Sequence, residues 1–147
     1  MSYTCLLYHI VIRTKRSEPT INVEHERELY AYIHEFIKSH ESSLQRLNGM
    51  PDHLHILVGI HPSIALSDFM RDLKTATSKM MAANRQKFPM FDGWGAEYFA
   101  CTVSLGLKDK VKEYIINQKE HHQRICTRDE IIQLCEENGI PYDRRYI

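Results

Sequence analysis

His53-Leu54-His55-Ile56-Leu57-Val58-Gly59-Ile60 is the stretch on which the fold turns. Aliphatic residues crowd it, Pro51-Asp52 precedes it and His61-Pro62-Ser63 closes it, so it reads as a strand. Successive side chains on a strand point to opposite faces, so His53 and His55 project together while Leu54 goes into the core. Upstream, Thr4 to Thr14 is rich in Leu, Tyr, Ile and Val and reads as a second buried strand, broken by Ser17-Glu18-Pro19. From Val23 to His40, the residues Leu29, Ile33, Phe36 and Ile37 fall at helical spacing. Ser43 to Leu47 is a weaker strand, leading through Asn48-Gly49, a tight-turn or bulge signal, into Met50-Pro51-Asp52.

Downstream, a helix is predicted from about Ala65 to Asn84, with Ser63 or Ser67 as its cap. Phe88 to Gly95, with one Pro and two Gly among aromatics, reads as a loop, and Glu97 to Ser104 as a strand with Phe99, Cys101 and Val103 on one face. Leu107 to about Arg124 is predicted to be one helix. Thr127-Arg128-Asp129-Glu130 fits a capping box opening a last short helix, which Gly139 and Pro141 end. Strand, helix, strand, strand, helix, strand, then two helices is the ferredoxin-like (split βαβ) α+β pattern: an antiparallel sheet with helices on one face and a C-terminal helical extension. With 147 residues and no linker or repeat, the expectation is one domain over 1–147.

Nineteen Lys plus Arg balance nineteen Asp plus Glu. That argues against holding duplex DNA by bulk charge, since counterion release needs many cationic contacts; a nucleic-acid site must be a local patch. No apolar run approaches the roughly 20 residues that cross a bilayer, and the N-terminus lacks the pattern of a secretory signal. Cys5, Cys101, Cys126 and Cys135 form no CxxC pair, so the expectation is a cytoplasmic chain with reduced thiols.

Three features carry chemistry. His53 and His55, two imidazoles on one strand face, make half of a divalent-metal site or two solvated surface histidines. Tyr114 and Gln118, at i and i+4, lie one above the other on a helix; a phenol can attack a phosphodiester neutralised by a metal, or the pair can belong to an ordinary amphipathic helix. Arg71, Lys74, Ser78 and Lys79 recur at helical spacing as a phosphate-tracking stripe or a solvated face. Asp52 is a candidate acceptor behind His53 or His55, or simply part of the turn. His121 and His122 extend the polar face of the Tyr114 helix, while His9, His25, His34, His40 and His61 have no informative spacing. Trp94, Tyr98 and Phe99 are base-stacking or packing residues. GxGxxG, Walker, HExxH and GxSxG patterns are absent from the sequence.

Met50-Pro51-Asp52-His53-Leu54-His55-Ile56-Leu57-Val58, followed by Tyr114-Ile115-Ile116-Asn117-Gln118, resembles the insertion-sequence single-tyrosine HUH transposases, which include the REP-associated tyrosine transposases. Tyr8-His9-Ile10-Val11, the basic helix around Ser67 to Ser78 and Trp94 to Val103 keep the same order. The resemblance implies that His53 and His55 bind Mg²⁺ or Mn²⁺ with Gln118 as third ligand. It implies that Tyr114 attacks single-stranded DNA at hairpin-bearing element ends, holds the 5′ phosphate and frees a 3′ hydroxyl. It further implies a homodimer, no nucleotide cofactor and no membrane, with Arg13, Arg71, Lys74, Ser78 and Lys79 as nucleic-acid contacts. The rival expectations are an inactive nucleic-acid-binding module of the same fold, and a metal-dependent hydrolase that uses water.

Overall fold

The computed structural model describes residues 2–147. Four strands, β1 (Leu7–Thr14), β2 (Ser43–Met50), β3 (His53–Gly59) and β4 (Trp94–Val103), form one sheet in the order β2-β3-β1-β4. Every neighbouring pair is antiparallel. β1 and β2 are therefore parallel with β3 between them, and β3 and β4 are parallel with β1 between them. Helix α1 (Glu26–Ser39) makes the first crossover and α2 (Leu66–Ala83) the second, which is the interleaved split βαβ arrangement expected from the order of elements.

Registry explains which residues build the core. Ile10 and Ile12 on β1 lie on the same face as Leu54, Ile56 and Val58 on β3. They pack against Leu29, Ile33 and Ile37 of α1 and Phe69, Met70, Leu73 and Met81 of α2. Each buried aliphatic side chain contributes about 1.5–3 kcal/mol relative to exposure. The opposite face takes the C-terminal elements. Leu7, Leu57 and Val103 meet Ile115 of α3 (Lys108–Ile116), and Val11 and Phe99 meet Ile131, Leu134 and Cys135 of α5 (Thr127–Glu137). Gly139, at φ +65°, follows α5 in the left-handed region that favours glycine.

Several expectations shift. β2 runs through Asn48 and Gly49 to Met50, and the turn falls on Pro51 and Asp52; the irregularity lies between Leu44 and Arg46. A Cβ on Gly49 would stand 2.2 Å from the His53 carbonyl oxygen, so the glycine serves close strand approach rather than a turn. β4 begins at Trp94, inside the segment expected to be loop: Trp94 pairs with Thr14 of β1, and its indole donates to Thr77 Oγ1 on α2 at 2.8 Å. α2 has Ala65 at its N-cap and no side-chain cap from Ser63 or Ser67.

The expected helix from Leu107 to Arg124 is interrupted. α3 stops at Ile116, Asn117 adopts φ −90° and ψ 15°, and a short α4 covers Gln118–His121. The cause lies on β2: Asn48 Nδ2 donates to the carbonyls of Ile115 at 3.1 Å and Ile116 at 3.0 Å, acceptors a continuous helix would offer to later N–H groups. Lys119 Nζ then donates to Gly49 O at 2.9 Å and Glu26 Oε2 at 3.0 Å, tying α4 to the same edge.

Candidate active site

The odd-numbered residues of β1 and β3 face α3, α4 and α5, and three of them are histidines. His53 and His55 are fully buried with ring centroids 5.1 Å apart, and His9 is buried beside them. Their ring hydrogen bonds assign a direction to each imidazole. His53 Nδ1–H donates to Asp52 Oδ1 at 2.7 Å, and Thr127 Oγ1 donates to Asp52 Oδ2 at 2.7 Å. The Nε2 of His53 therefore faces inward. His55 Nε2–H donates to Glu130 Oε1 at 2.9 Å, and His55 Nδ1 lies 2.8 Å from His9 Nε2.

Glu130, on α5, is 1% exposed and gathers the remaining groups. Its Oε1 lies 2.9 Å from His122 Nε2 and 3.3 Å from His53 Nε2. Its Oε2 accepts from Gln118 Nε2 at 3.0 Å and from the Tyr114 hydroxyl. Gln118 is fully buried, and its Oε1 lies 3.3 Å from His53 Nε2. Tyr114 and Gln118 thus meet at one carboxylate despite the break at Asn117.

Burial and pairing set the charges. Burial would raise the Glu130 carboxyl, but hydrogen bonds from His122, His53 and His55 outweigh it and hold the group far below the usual carboxylate range. Burial alone would lower His53, yet the hydrogen bonds to Asp52 and Glu130 prevail and lift it to about 9. Burial holds His55 down to about 4, and burial followed by the neighbouring His55 charge holds His9 down to about 3. Tyr114 is pushed up, first by burial and then by Glu130, so the phenol keeps its proton. One donor atom each from His53, His55, His122 and Glu130 lies within 4.8 Å of the others. Imidazole nitrogens with a carboxylate oxygen suit a divalent first-row ion or Mg²⁺, so the residues present fit a divalent metal.

The other predicted residues are spread more widely. Arg13 pairs with His53 across β1 and β3 and shares its face; its guanidinium contacts Ser17 Oγ at 3.4 Å. A cleft of about 640 Å³ beside Asp52 is lined by Arg13, Arg16, Arg128 and Arg145 among others. Arg71, Lys74, Ser78 and Lys79 lie on α2, across the sheet from the imidazoles. Lys74 Nζ is bound to the carbonyls of Gly95 at 2.7 Å and Ala96 at 3.0 Å, and Arg71 is paired with Asp68 and Asp72.

Sequence reasoning missed Glu130, and gave too little weight to His122 and His9. The capping-box reading of Thr127 and Glu130 is corrected by the structure. Cys126 occupies the N-cap without a side-chain bond, while the Thr127 hydroxyl turns to Asp52 and the Glu130 carboxylate to the histidines. A signal for His9 existed: it interrupts the run of large apolar and aromatic residues from Leu7 to Ile12 in the central strand, with the facing parity of Val11.

Among known proteins, the model of a family described as "Transposase IS200 like" matches residues 2–118. The ISDra2 transposase TnpA of Deinococcus radiodurans is 33% identical over 75 residues, a match covering 48% of this chain and 54% of that protein, so it spans only about half of that relative's length. A solved structure assigned as a transposase from Deinococcus radiodurans R1 superposes with a TM-score of 0.61 at 28% identity, covering 80% of this chain and 95% of the other. The structure of a REP-associated tyrosine transposase bound to a REP hairpin superposes with a TM-score of 0.62 at 12% identity, over 85% of this chain and 76% of that one. That likeness lies in the fold, a four-stranded antiparallel sheet with helices.

Proposed function

Because the chain belongs to the IS200-like transposase family, we propose that it nicks and rejoins single-stranded DNA through a covalent 5′-phosphotyrosine at Tyr114. The observation that carries this reading is the convergence on Glu130: the Tyr114 hydroxyl, the Gln118 amide and the Nε2 atoms of His53 and His55 all reach one buried carboxylate within one chain. A nucleophile, an amide and paired imidazoles in such a space suit transfer of a phosphoryl group to a side chain.

In the proposed step, Tyr114 Oη attacks phosphorus, the Oη–P bond forms and the P–O3′ bond breaks. The tyrosine proton is given up to solvent, and the 3′ oxygen takes a proton from solvent and leaves as a hydroxyl. Mg²⁺ or Mn²⁺ bound by His53, His55 and Gln118 would neutralise the phosphate and stabilise the charge that develops on it. Asp52 fixes the His53 ring through Nδ1, leaving Nε2 turned inward. His9, whose Nε2 lies 2.8 Å from His55 Nδ1, fixes the orientation of the His55 ring from the other side. Glu130 and Gln118 hold the reacting side of α3 and α4 together. The phosphotyrosine keeps the energy of the broken bond, so a 3′ hydroxyl from another strand reverses the step without a nucleotide cofactor.

The proposed substrate is single-stranded DNA carrying hairpins, a reading supported by the hairpin-bound structural relative. Arg13 and the arginine-lined cleft beside Asp52 offer the phosphate contacts nearest the imidazoles. Arg71, Lys74, Ser78 and Lys79, across the sheet, would meet a flanking stem rather than the scissile phosphate. Residues 1–147 are read as one working domain, with α3 and α4 carrying the tyrosine, in a homodimer.

The test is incubation with labelled hairpin-bearing single strands and Mn²⁺, followed by a denaturing gel. The expected result is a protein–DNA adduct that Tyr114→Phe abolishes. Cleavage that survives Tyr114→Phe would identify a hydrolase using water, and binding with no adduct over a range of metals and strands would identify a binding module.

A further inference from the structure

Glu130 lies outside the segment that the family model matches, which ends at residue 118, yet it is the most heavily bonded side chain in the site. An ionised carboxylate at 1% exposure needs a compensating charge. Among the described residues it pairs with no Lys or Arg; its neighbours are His53, His55, His121 and His122. Asp52 brings a second carboxylate to the same cluster. Two carboxylates among imidazoles make a donor set that a dication would take up in place of ring protons.

The spacing agrees with this. Ligand bonds of about 2.1 Å place neighbouring ligand atoms about 3 Å apart and opposite ones about 4.2 Å apart. Glu130 Oε1 lies 2.9 Å from His55 Nε2 and His122 Nε2, and 3.3 Å from His53 Nε2. Ligand type points the same way. His53, His55 and Gln118 supply two nitrogens and one neutral oxygen, whereas Mg²⁺ and Mn²⁺ favour oxygen donors, carboxylates above all.

We propose that Glu130, from α5, is an additional ligand of the divalent metal held by His53 and His55. The inference rests on the metal-dependent reading above. Its two oxygens divide the work. Oε1 faces the imidazoles and the ion. Oε2 accepts from Tyr114 and Gln118, so one carboxylate group links the nucleophile to the metal, and the placement of α5 sets the separation between them.

The test is Mn²⁺ titration of the full chain by isothermal calorimetry, with electron paramagnetic resonance counting the free ion and circular dichroism checking the fold. Glu130→Gln keeps the shape and removes the charge; its Mn²⁺ Kd is expected to rise by at least about 10–100-fold. Glu130→Asp keeps the charge one methylene short and is expected to fall between wild type and Glu130→Gln; it carries the test if the Gln variant does not fold. A Kd within twofold of wild type in the folded Glu130 variant, alongside loss of binding in His55→Ala, overturns the Glu130 assignment and leaves the metal reading standing. Equal binding by wild type and His55→Ala, or no binding by wild type, removes the metal reading and this inference with it.

Discussion

β1 and β3 present two faces made from alternate residues of the same strands, and the faces do opposite things. On one, Ile10, Ile12, Leu54, Ile56 and Val58 meet α1 and α2 in a wholly apolar layer. On the other, His9, His53 and His55 lie buried beneath α3, α4 and α5, and each ring nitrogen facing the cluster has a polar neighbour. The difference teaches how a small protein keeps three imidazoles in its interior. The apolar face supplies the burial that fixes the strands, and fixed strands hold the rings in one geometry. On the polar face, partners replace water, so the cost of burying polar groups is offset bond by bond.

That separation can be broken by experiment. Ile56→Ala, on the apolar face, should destabilise the fold by about 2–5 kcal/mol in urea unfolding, while the folded fraction keeps its Mn²⁺ Kd within about twofold. A matching loss of metal affinity would mean that the two faces are not independent. Asp52→Asn, in the turn that opens the same strand, acts on the polar side. It weakens the acceptor behind His53, and Mn²⁺ affinity measured by calorimetry should fall about 10–100-fold with a much smaller change in urea stability than Ile56→Ala gives.

The smallest effect is expected at His9. Burial and the His55 charge hold its folded value at about 3, against 6.5 for an ordinary imidazole. A lowered value means that protons bind the unfolded chain more readily. His9 therefore contributes stability that is complete above pH 6.5 and is lost as the pH falls from there towards 3. In metal-free protein, His9→Gln should make the acid-side fall in Tm between pH 6.5 and 4 shallower by several °C. An unchanged slope would show that His9 is not held neutral by its surroundings.

Local patterns made the apolar face legible in the sequence. Leu29, Ile33 and Ile37 announce α1 by spacing alone, and the parity of His53 and His55 places both rings on one side before any coordinates are known. What lay hidden depended on contacts between distant segments. The break at Asn117 comes from Asn48, far away in the chain, taking the carbonyls of Ile115 and Ile116. Trp94 starts β4 early by pairing with Thr14 of β1, distant in the chain, while Thr77 on α2 holds its indole. Glu130 was masked by a strong local alternative: Thr127 and Glu130 have the residue types and spacing of a helix cap, and burial among imidazoles diverted both side chains to other partners. A short motif shows what a residue can do locally, and tertiary neighbours decide which option is used.

The anchoring of α3 and α4 to β2 has one more consequence. β2 is an edge strand, held along one side only, and Asn48 and Lys119 fasten the tyrosine-bearing segment to it. Edge strands are among the first parts of a sheet to fray. When this one peels away, both moorings slacken together and the phenol loses its aim at the imidazoles. A partly folded copy would carry the phenol without the buried setting that aims it, so the chemistry proposed for Tyr114 would belong only to molecules that have finished folding.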